Sequence, residues 1–193
     1  AHELFKLPTF INTMMENKWL GSKTKQGFYK KVDKNILSLD LNTLEYRPQQ
    51  KASFQTLELT KTIDKVKDRF KVLVKGTDKA GDFYRKSFAA LFAYVSKRIP
   101  EITDDLYKID DAMKAGFGWE NGPFEIWDAI GVEKGIEMMK AEGETTAAWV
   151  TEMLASGNSS FFTIKNGANY YYDLSSKTQT KIPGQDAFII LNN

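Results

Sequence analysis

Apolar residues recur at helical spacing along most of the chain. The longest such stretch runs from about Asp78 to Ile99, where apolar side chains three or four positions apart end at Pro100. This spacing places them on one face, as in an amphipathic helix packed against a core. Similar but shorter patterns predict helices over about 8–17, 56–75, 103–116, 123–131, 132–143 and 149–157.

Two stretches have the alternating, aromatic pattern of short strands. Residues 161–172 flank Asn166-Gly167, which is the strongest hairpin signal in the chain. Residues 28–39 surround Asp33-Lys34-Asn35 in the same manner and end before Pro48. The predicted fold class is therefore mainly α, a helical bundle with two short β-hairpins.

Residues 10–48 and 148–183 share one order of features: an amphipathic helix, a glycine turn, aromatic strands, an acidic turn and a proline. We interpret this as an internal repeat in which only the tail of the first copy is present. The predicted domains are the tail of a first helical copy (1–50), a connector helix (51–76), a complete second copy (77–183) and a linker to a further domain (184–193).

Composition narrows the class of protein. Hydrophobic residues make up 42% of the 193 residues, enough for a core, and 27 basic against 25 acidic side chains leave a net charge of only +2. This balance argues against nucleic acid or a membrane surface as the main partner. There is no cysteine and no apolar run long enough to cross a membrane. We expect a cytoplasmic protein without a transmembrane segment.

Residues 116–131 are rich in glycine, and three of them, Gly116, Gly118 and Gly122, resemble a dinucleotide-binding loop. Their spacing is one residue too long for that fingerprint, and they follow a helix instead of a strand. A corner between two helices fits better, with Gly116 as a left-handed cap, Gly122 as N-cap and Pro123 at the first helical position. The predicted structural motif comprises Gly116, Gly118, Gly122, Pro123, Trp127, Asp128 and Gly131.

Candidates for catalysis are few. The only histidine is His2, near the start of the chain, so a histidine base within this sequence is not expected. The acidic residues Asp104, Asp105, Asp110 and Asp111 are explained by a helix dipole, because the first pair falls in an opening turn. One histidine and no cysteine argue against a zinc site. We therefore predict no catalytic, cofactor-binding or metal-binding residue in this chain.

The residues around this corner resemble the signature of a known protein family. Residues 109–118, IDDAMKAGFG, and 122–131, GPFEIWDAIG, resemble the signature of the C-terminal helical domain of 3-hydroxyacyl-CoA dehydrogenases. Residues 19–30, WLGSKTKQGFYK, are similar to the element that closes such a domain. The resemblance implies a helical bundle of the 6-phosphogluconate dehydrogenase C-terminal-like type.

The resemblance also implies what the whole protein does. In this family a Rossmann domain holds NAD and the catalytic residues, the helical domain completes the acyl-CoA cleft, and larger members carry two helical copies. The motifs are most similar to bacterial bifunctional proteins in which an enoyl-CoA hydratase domain follows, and residues 185–193 would begin that connection. The implied partners of this chain are thus the Rossmann domain and the first helical domain.

Arg85 departs from the family pattern. The active copy opens its long helix with G-F-x-x-N-R, and here Arg85 stands where the substrate-contacting asparagine would be. The corner reads Glu120-Asn121-Gly122-Pro123 instead of P-M-G-P. No substrate-binding residue is therefore assigned, and the resemblance implies a degenerate second copy that replaces the partner subunit of a homodimer.

Three functions follow from these observations. The first is a non-catalytic structural half of an NAD-dependent dehydrogenase of fatty-acid β-oxidation, which in the full-length protein oxidises (3S)-3-hydroxyacyl-CoA to 3-oxoacyl-CoA. The second is a helical interaction or self-association module without an enzymatic role. The third is a CoA-binding module that uses the basic side chains between Lys61 and Lys75, although a solvated basic face explains them without a ligand.

Overall fold

The computed structural model describes residues 6–184. The chain divides into two compact units, Ala1–Ala52 and Ser53–Asn193, which we call the N-terminal and C-terminal units. His2 and residues 185–193, proposed as the start of a connection to a further domain, lie outside the described residues.

The N-terminal unit consists of one helix followed by a small antiparallel sheet. Its elements are α1 (Thr9–Glu16), a 3₁₀ turn (Ser22–Thr24), β1 (Tyr29–Val32), β2 (Asn35–Leu39) and β3 (Tyr46–Pro48). The strands lie in the order β1-β2-β3. Met14 of α1 and Leu39 of β2 are buried, whereas Phe28 and Tyr29 are exposed.

The described part of the C-terminal unit is mainly helical, and its last three strands form a second sheet with the same strand order. Its elements are α2 (Gln55–Thr60), α3 (Val66–Lys75), α4 (Lys79–Lys97), α5 (Leu106–Phe117), α6 (Pro123–Ile130), α7 (Val132–Ala141), α8 (Ala148–Ala155), β4 (Phe162–Lys165), β5 (Ala168–Asp173) and β6 (Thr178–Lys181). The strands lie in the order β4-β5-β6. The mainly α prediction is confirmed, and each predicted hairpin gains a third strand.

One aromatic core holds the C-terminal unit together. Phe92 of α4 stacks on Trp127 of α6 with ring centroids 4.8 Å apart, and both side chains are fully buried. Phe161, just before β4, packs edge-on against Trp127 at 5.0 Å. Aromatic side chains of this size bury large apolar areas, and edge-on and offset-stacked pairs have favourable geometry. The core therefore joins the long helix, the corner helix and the sheet.

The structure corrects three details of the helix predictions. Residues 56–75 form two helices, α2 and α3, and α3 buries Leu73 and Val74. Helix α5 continues through Gly116, and its left-handed cap is Gly118 with φ of 65°. Thr103 does not cap this helix, because α5 begins at Leu106 and Asp105 occupies the N-cap position.

Candidate functional site

The corner between α5 and α6 is built around the carboxylate of Asp110. Asp110 is buried in α5, and its two oxygens accept the backbone N–H groups of Phe124 at 2.9 Å and Glu125 at 2.8 Å. These groups belong to the first turn of α6, where N–H groups lack partners within the helix. A carboxylate at a helix N-terminus also interacts favourably with the helix dipole. Asp110 thus fixes the start of α6 against α5.

Gly122 makes this clamp possible because it lacks a side chain. A Cβ atom at Gly122 would lie 2.3 Å from Cβ of Asp110 and 2.5 Å from its Cα, closer than atoms can approach. Gly122 is the N-cap of α6, Pro123 follows at the first helical position, and the side chain of Glu125 accepts the N–H of Gly122 at 2.9 Å. The glycine is therefore explained by close packing against Asp110.

A second aspartate repeats the arrangement at the other end of α6. Asp128 accepts the N–H groups of Phe161 and Phe162, both at 2.8 Å, and so attaches the first strand of the sheet to the helix. Helix α6 ends at Ile130, and its C-cap is Gly131 with φ of 106°. The two carboxylates bind different elements, so α6 is tied both to the helix before it and to the sheet after it.

Burial raises the pKa of both carboxyl groups. Burial raises the pKa of Asp110 to about 7, although the N–H groups of Phe124 and Glu125 act in the opposite direction. Burial likewise raises the pKa of Asp128 to about 7, against the N–H groups bound to it. Both groups therefore change protonation near neutral pH while remaining inside the fold.

Trp127 closes the turn between α6 and α7. Its indole Nε1 donates to the carbonyl oxygen of Val132 at 3.0 Å, and both residues are buried. A Cβ atom at Gly135 would lie 2.1 Å from this nitrogen, so a larger residue there would displace the ring. Trp127 thus satisfies a buried polar group as well as filling the core.

A cleft of about 390 Å³ opens beside the corner. Lys114 and Glu125 form an ion pair across its wall at 3.0 Å, and Asp110 and Asp128 also line it. The two aspartates already bind backbone N–H groups, and Glu125 binds Lys114 and the N–H of Gly122. These carboxyl groups are engaged in holding the fold. Together they connect α6 to α5 and to the sheet.

Arg85 has a partner of its own within the chain. Its Nη1 donates to the carbonyl oxygens of Val74, at 3.1 Å, and Gly76. Both carbonyls lie at the C-terminal end of α3, where carbonyl groups lack helical partners and a positive charge is favourable. Arg85 therefore caps α3 from the first turns of α4, at the position where the family pattern has its asparagine.

The basic side chains between Lys61 and Lys75 are dispersed by the break between α2 and α3. Lys61 pairs with Glu58 at 2.7 Å, and Lys71 lies 3.9 Å from Asp68. Lys67 lines the cleft beside the corner instead. The exposed pairs within single helices are typical of solvated surfaces.

Sequence reasoning included Asp128 in the motif without giving it a role, and it missed the role of Asp110. The signal that could have found Asp110 is an aspartate about two turns before the end of one helix, followed by a Gly-Pro helix start. Asp104 and Asp105 precede α5, and Asp105 accepts the hydroxyl of Tyr171 at 2.6 Å.

In residues 6–184 no group of three or more acidic or histidine side chains could hold a metal ion. No helix in this range has the length and apolar character needed to cross a bilayer.

A comparison with known protein families covers the segment that contains the corner between α5 and α6. Residues 85–170 match the family model described as 3-hydroxyacyl-CoA dehydrogenase, C-terminal domain. This segment is therefore similar to the C-terminal domain of 3-hydroxyacyl-CoA dehydrogenases. The matched segment begins at Arg85 in α4, contains both aspartates and ends in β5. The Asp110 and Asp128 clamps therefore lie inside the matched segment.

Several longer proteins are similar to the chain. A Bacillus subtilis protein named "Probable 3-hydroxyacyl-CoA dehydrogenase" is 42% identical over 171 residues, which cover 89% of this chain and 22% of that protein. A Rickettsia felis protein named as a fatty acid oxidation complex trifunctional enzyme is 29% identical over 65% of this chain and 16% of its own length. A protein of Rickettsia prowazekii with the same name is 24% identical over 80% of this chain. The chain spans about a fifth of the length of these relatives, and no solved structure matches it significantly.

Proposed function

We propose that this chain is a non-catalytic helical region of an NAD-dependent 3-hydroxyacyl-CoA dehydrogenase of fatty-acid β-oxidation. In the full-length protein the reaction would be oxidation of (3S)-3-hydroxyacyl-CoA to 3-oxoacyl-CoA. The names of the Bacillus and Rickettsia relatives support this class of enzyme over a free interaction module. The similarity of residues 85–170 to the C-terminal domain of 3-hydroxyacyl-CoA dehydrogenases supports it independently of those names.

The observation that carries the proposal is the engagement of Arg85. An asparagine at this position could reach a substrate, whereas Arg85 binds the carbonyl oxygens of Val74 and Gly76 at the end of α3. The guanidinium is thus occupied within the fold. This copy of the domain therefore contributes packing and leaves contact with the substrate to another part of the protein.

The remaining parts of the full-length enzyme follow from this proposal. NAD would bind a Rossmann domain outside this chain, and the acyl-CoA cleft would be completed by a first helical domain whose tail is residues 1–50. Residues 51–76 would connect that tail to the second copy at 77–183, and residues 184–193 would lead to an enoyl-CoA hydratase domain. Cytoplasmic location stays a prediction from composition.

An assay of NADH formation tests the proposal. The 193-residue chain and the full-length protein of its gene are each incubated with NAD and 3-hydroxybutyryl-CoA, and NADH absorbance is followed. We expect turnover by the full-length protein and none by the 193-residue chain. NADH formation by the chain alone, or a full-length protein inactive on 3-hydroxyacyl-CoA of any chain length, would contradict the proposal.

A further inference from the structure

The two three-stranded sheets have the same register, residue for residue. Tyr29↔Ser38 in the first sheet corresponds to Phe162↔Tyr171 in the second, and the pairs that follow stay in step. The pairing of the third strands, Ser38↔Arg47 and Tyr171↔Thr180, keeps the same offset. The sheets therefore share strand order and register, and each position in one has a defined counterpart in the other.

The turns and the preceding helix extend this correspondence. Asp40 accepts the N–H of Asn42 at 3.0 Å, and Asp173 accepts the N–H of Ser175 at 2.9 Å. The Phe28 carbonyl accepts from Leu39 at 2.8 Å, as the Phe161 carbonyl does from Tyr172. The helix before each sheet carries an aromatic residue that contacts the phenylalanine just before the first strand. The ring centroids of Phe10 and Phe28 are 6.4 Å apart, and those of Trp149 and Phe161 are 5.8 Å apart.

In the C-terminal unit α6 contacts the residues at the start of the first strand of the sheet. The Asp128 carboxylate accepts hydrogen bonds from the N–H groups of Phe161 and Phe162. The Phe161 ring packs against Phe124 and Trp127, with ring centroids 5.0 Å apart in each pair. All three contributing residues come from this one helix. The ring of Phe161 is consequently fully buried.

The counterparts of Phe161 and Phe162 in the N-terminal unit lack this cover. Phe28 is 48% exposed and Tyr29 is 59% exposed. In the described part of this unit no carboxylate accepts a hydrogen bond from their backbone N–H groups. Phe28, Tyr29 and Ile36 line an open apolar cavity of about 750 Å³. The contact with the preceding helix is thus retained, and what is absent is the contribution of an α6-like helix.

We propose that this cavity is the docking site of an α6-like helix from a helical domain in the part of the full-length protein outside residues 1–193. Its aspartate accepts the N–H groups of Phe28 and Tyr29, and its aromatic residues cover the Phe28 ring. The relatives have about four fifths of their length outside the matched segment, which leaves room for such a domain. This inference rests on the proposed function, in which residues 1–50 are the tail of a first helical copy.

Hydrogen exchange measured residue by residue tests the docking without any substitution. In the 193-residue chain we expect the amides of Phe28 and Tyr29 to exchange fast and those of Phe161 and Phe162 to exchange slowly. In the full-length protein the first pair should become slower by about 100-fold, as expected for amides buried under a packed helix. Equally fast exchange of Phe28 and Tyr29 in both proteins would overturn the inference. Protection in the isolated chain that grows with protein concentration would also overturn it, because a second copy would then be the occupant.

A pair of substitutions provides a second readout. Phe28→Ala should lower the melting temperature of the full-length protein by several degrees and change that of the 193-residue chain much less, because the ring is half exposed there. Phe117→Ala, at an exposed aromatic residue of the C-terminal unit, is the matched control and should change neither. Equal effects of Phe28→Ala in both proteins would contradict docking.

The two proposals can fail separately. Protected amides in a full-length protein without dehydrogenase activity would support the docked helix and refute the proposed function. Dehydrogenase activity with unprotected amides would do the reverse.

Discussion

Cβ of Asp110 lies only 2.3 Å from the position that a Cβ atom of Gly122 would occupy. The side chain that clamps the first turn of α6 therefore fills the space left by the missing side chain of the N-cap glycine. Backbone atoms of Asp110 lie almost as close, so neither partner can move away without separating α5 from α6.

The first prediction concerns this close approach. Gly122→Ala should lower the free energy of unfolding by roughly 3 kcal/mol or more, the upper end for overpacking, because the methyl group collides with Asp110. Gly116→Ala is the matched control, since Gly116 is helical and a Cβ atom there meets nothing within 4 Å. It should stabilise the protein by about 0.5–1 kcal/mol. Urea denaturation measures both, and equal effects would show that Gly122 is not packed as described.

The second prediction is that stability falls as the pH rises towards neutral. Asp110 and Asp128 have a pKa of about 7 in the fold, above the value of about 4 for an unfolded Asp. The folded state therefore binds protons more tightly. The stability from these groups is complete below about pH 4 and is lost as the pH rises through 7. Each group contributes a slope of at most about 1.4 kcal/mol per pH unit.

Denaturation between pH 5 and pH 8 measures this slope. Asp78 does not contribute to it, because the N–H groups of Thr56 and Gly81 hold the pKa of its carboxyl at about 2. Asp110→Asn and Asp128→Asn should each remove about half of the slope, since asparagine does not titrate. An unchanged slope in both variants would show that other groups cause the pH dependence.

The third prediction separates the structural role of Arg85 from its charge. Arg85→Ala should cost about 1–2 kcal/mol, because it removes a charged donor from carbonyls at the end of α3. Lys86→Ala is the matched control, because Lys86 shares the ion-pair partner Asp82 but is exposed. It should change stability by no more than about 0.5 kcal/mol. Thermal unfolding compares the two, and similar losses would place the effect in the ion pair.

The fourth prediction concerns the indole of Trp127. Trp127→Phe should cost about 1–3 kcal/mol, because it removes the buried hydrogen bond from the indole to the carbonyl of Val132 and leaves space in the core. Trp119→Phe, at a more exposed indole, should change stability by less than about 0.5 kcal/mol. Denaturant unfolding followed by circular dichroism avoids the loss of tryptophan fluorescence. A neutral Trp127→Phe would mean that neither the indole hydrogen bond nor the lost ring volume matters for stability.

The sequence predicted the helices that carry a one-sided apolar pattern, because burial of one face is visible in periodicity alone. It also predicted the hairpin at Asn166-Gly167, since both residues there adopt positive φ, which asparagine and glycine tolerate. The break between α2 and α3 was missed because the apolar spacing continues through Ile63 without a glycine or proline.

The site was harder to predict, because its contacts join residues distant in sequence. In the sequence Asp110 and Asp128 look like ordinary aspartates on helices. They are buried because segments distant in sequence pack against them. Periodicity describes one element at a time, so it contains no information on the amides of Phe161 and Phe162. Arg85 illustrates the same limit: its departure from the family pattern was visible, whereas its partners at the end of α3 were not.

The two aspartate clamps close chain loops of very different size. The bond from Asp110 to Phe124 spans 14 residues, and the bond from Asp128 to Phe161 spans 33. Shorter loops lose less entropy on closure and form sooner. The angle between α5 and α6 should therefore be set early in folding. The sheet β4-β5-β6 should dock later, when α6 is already bound to α5.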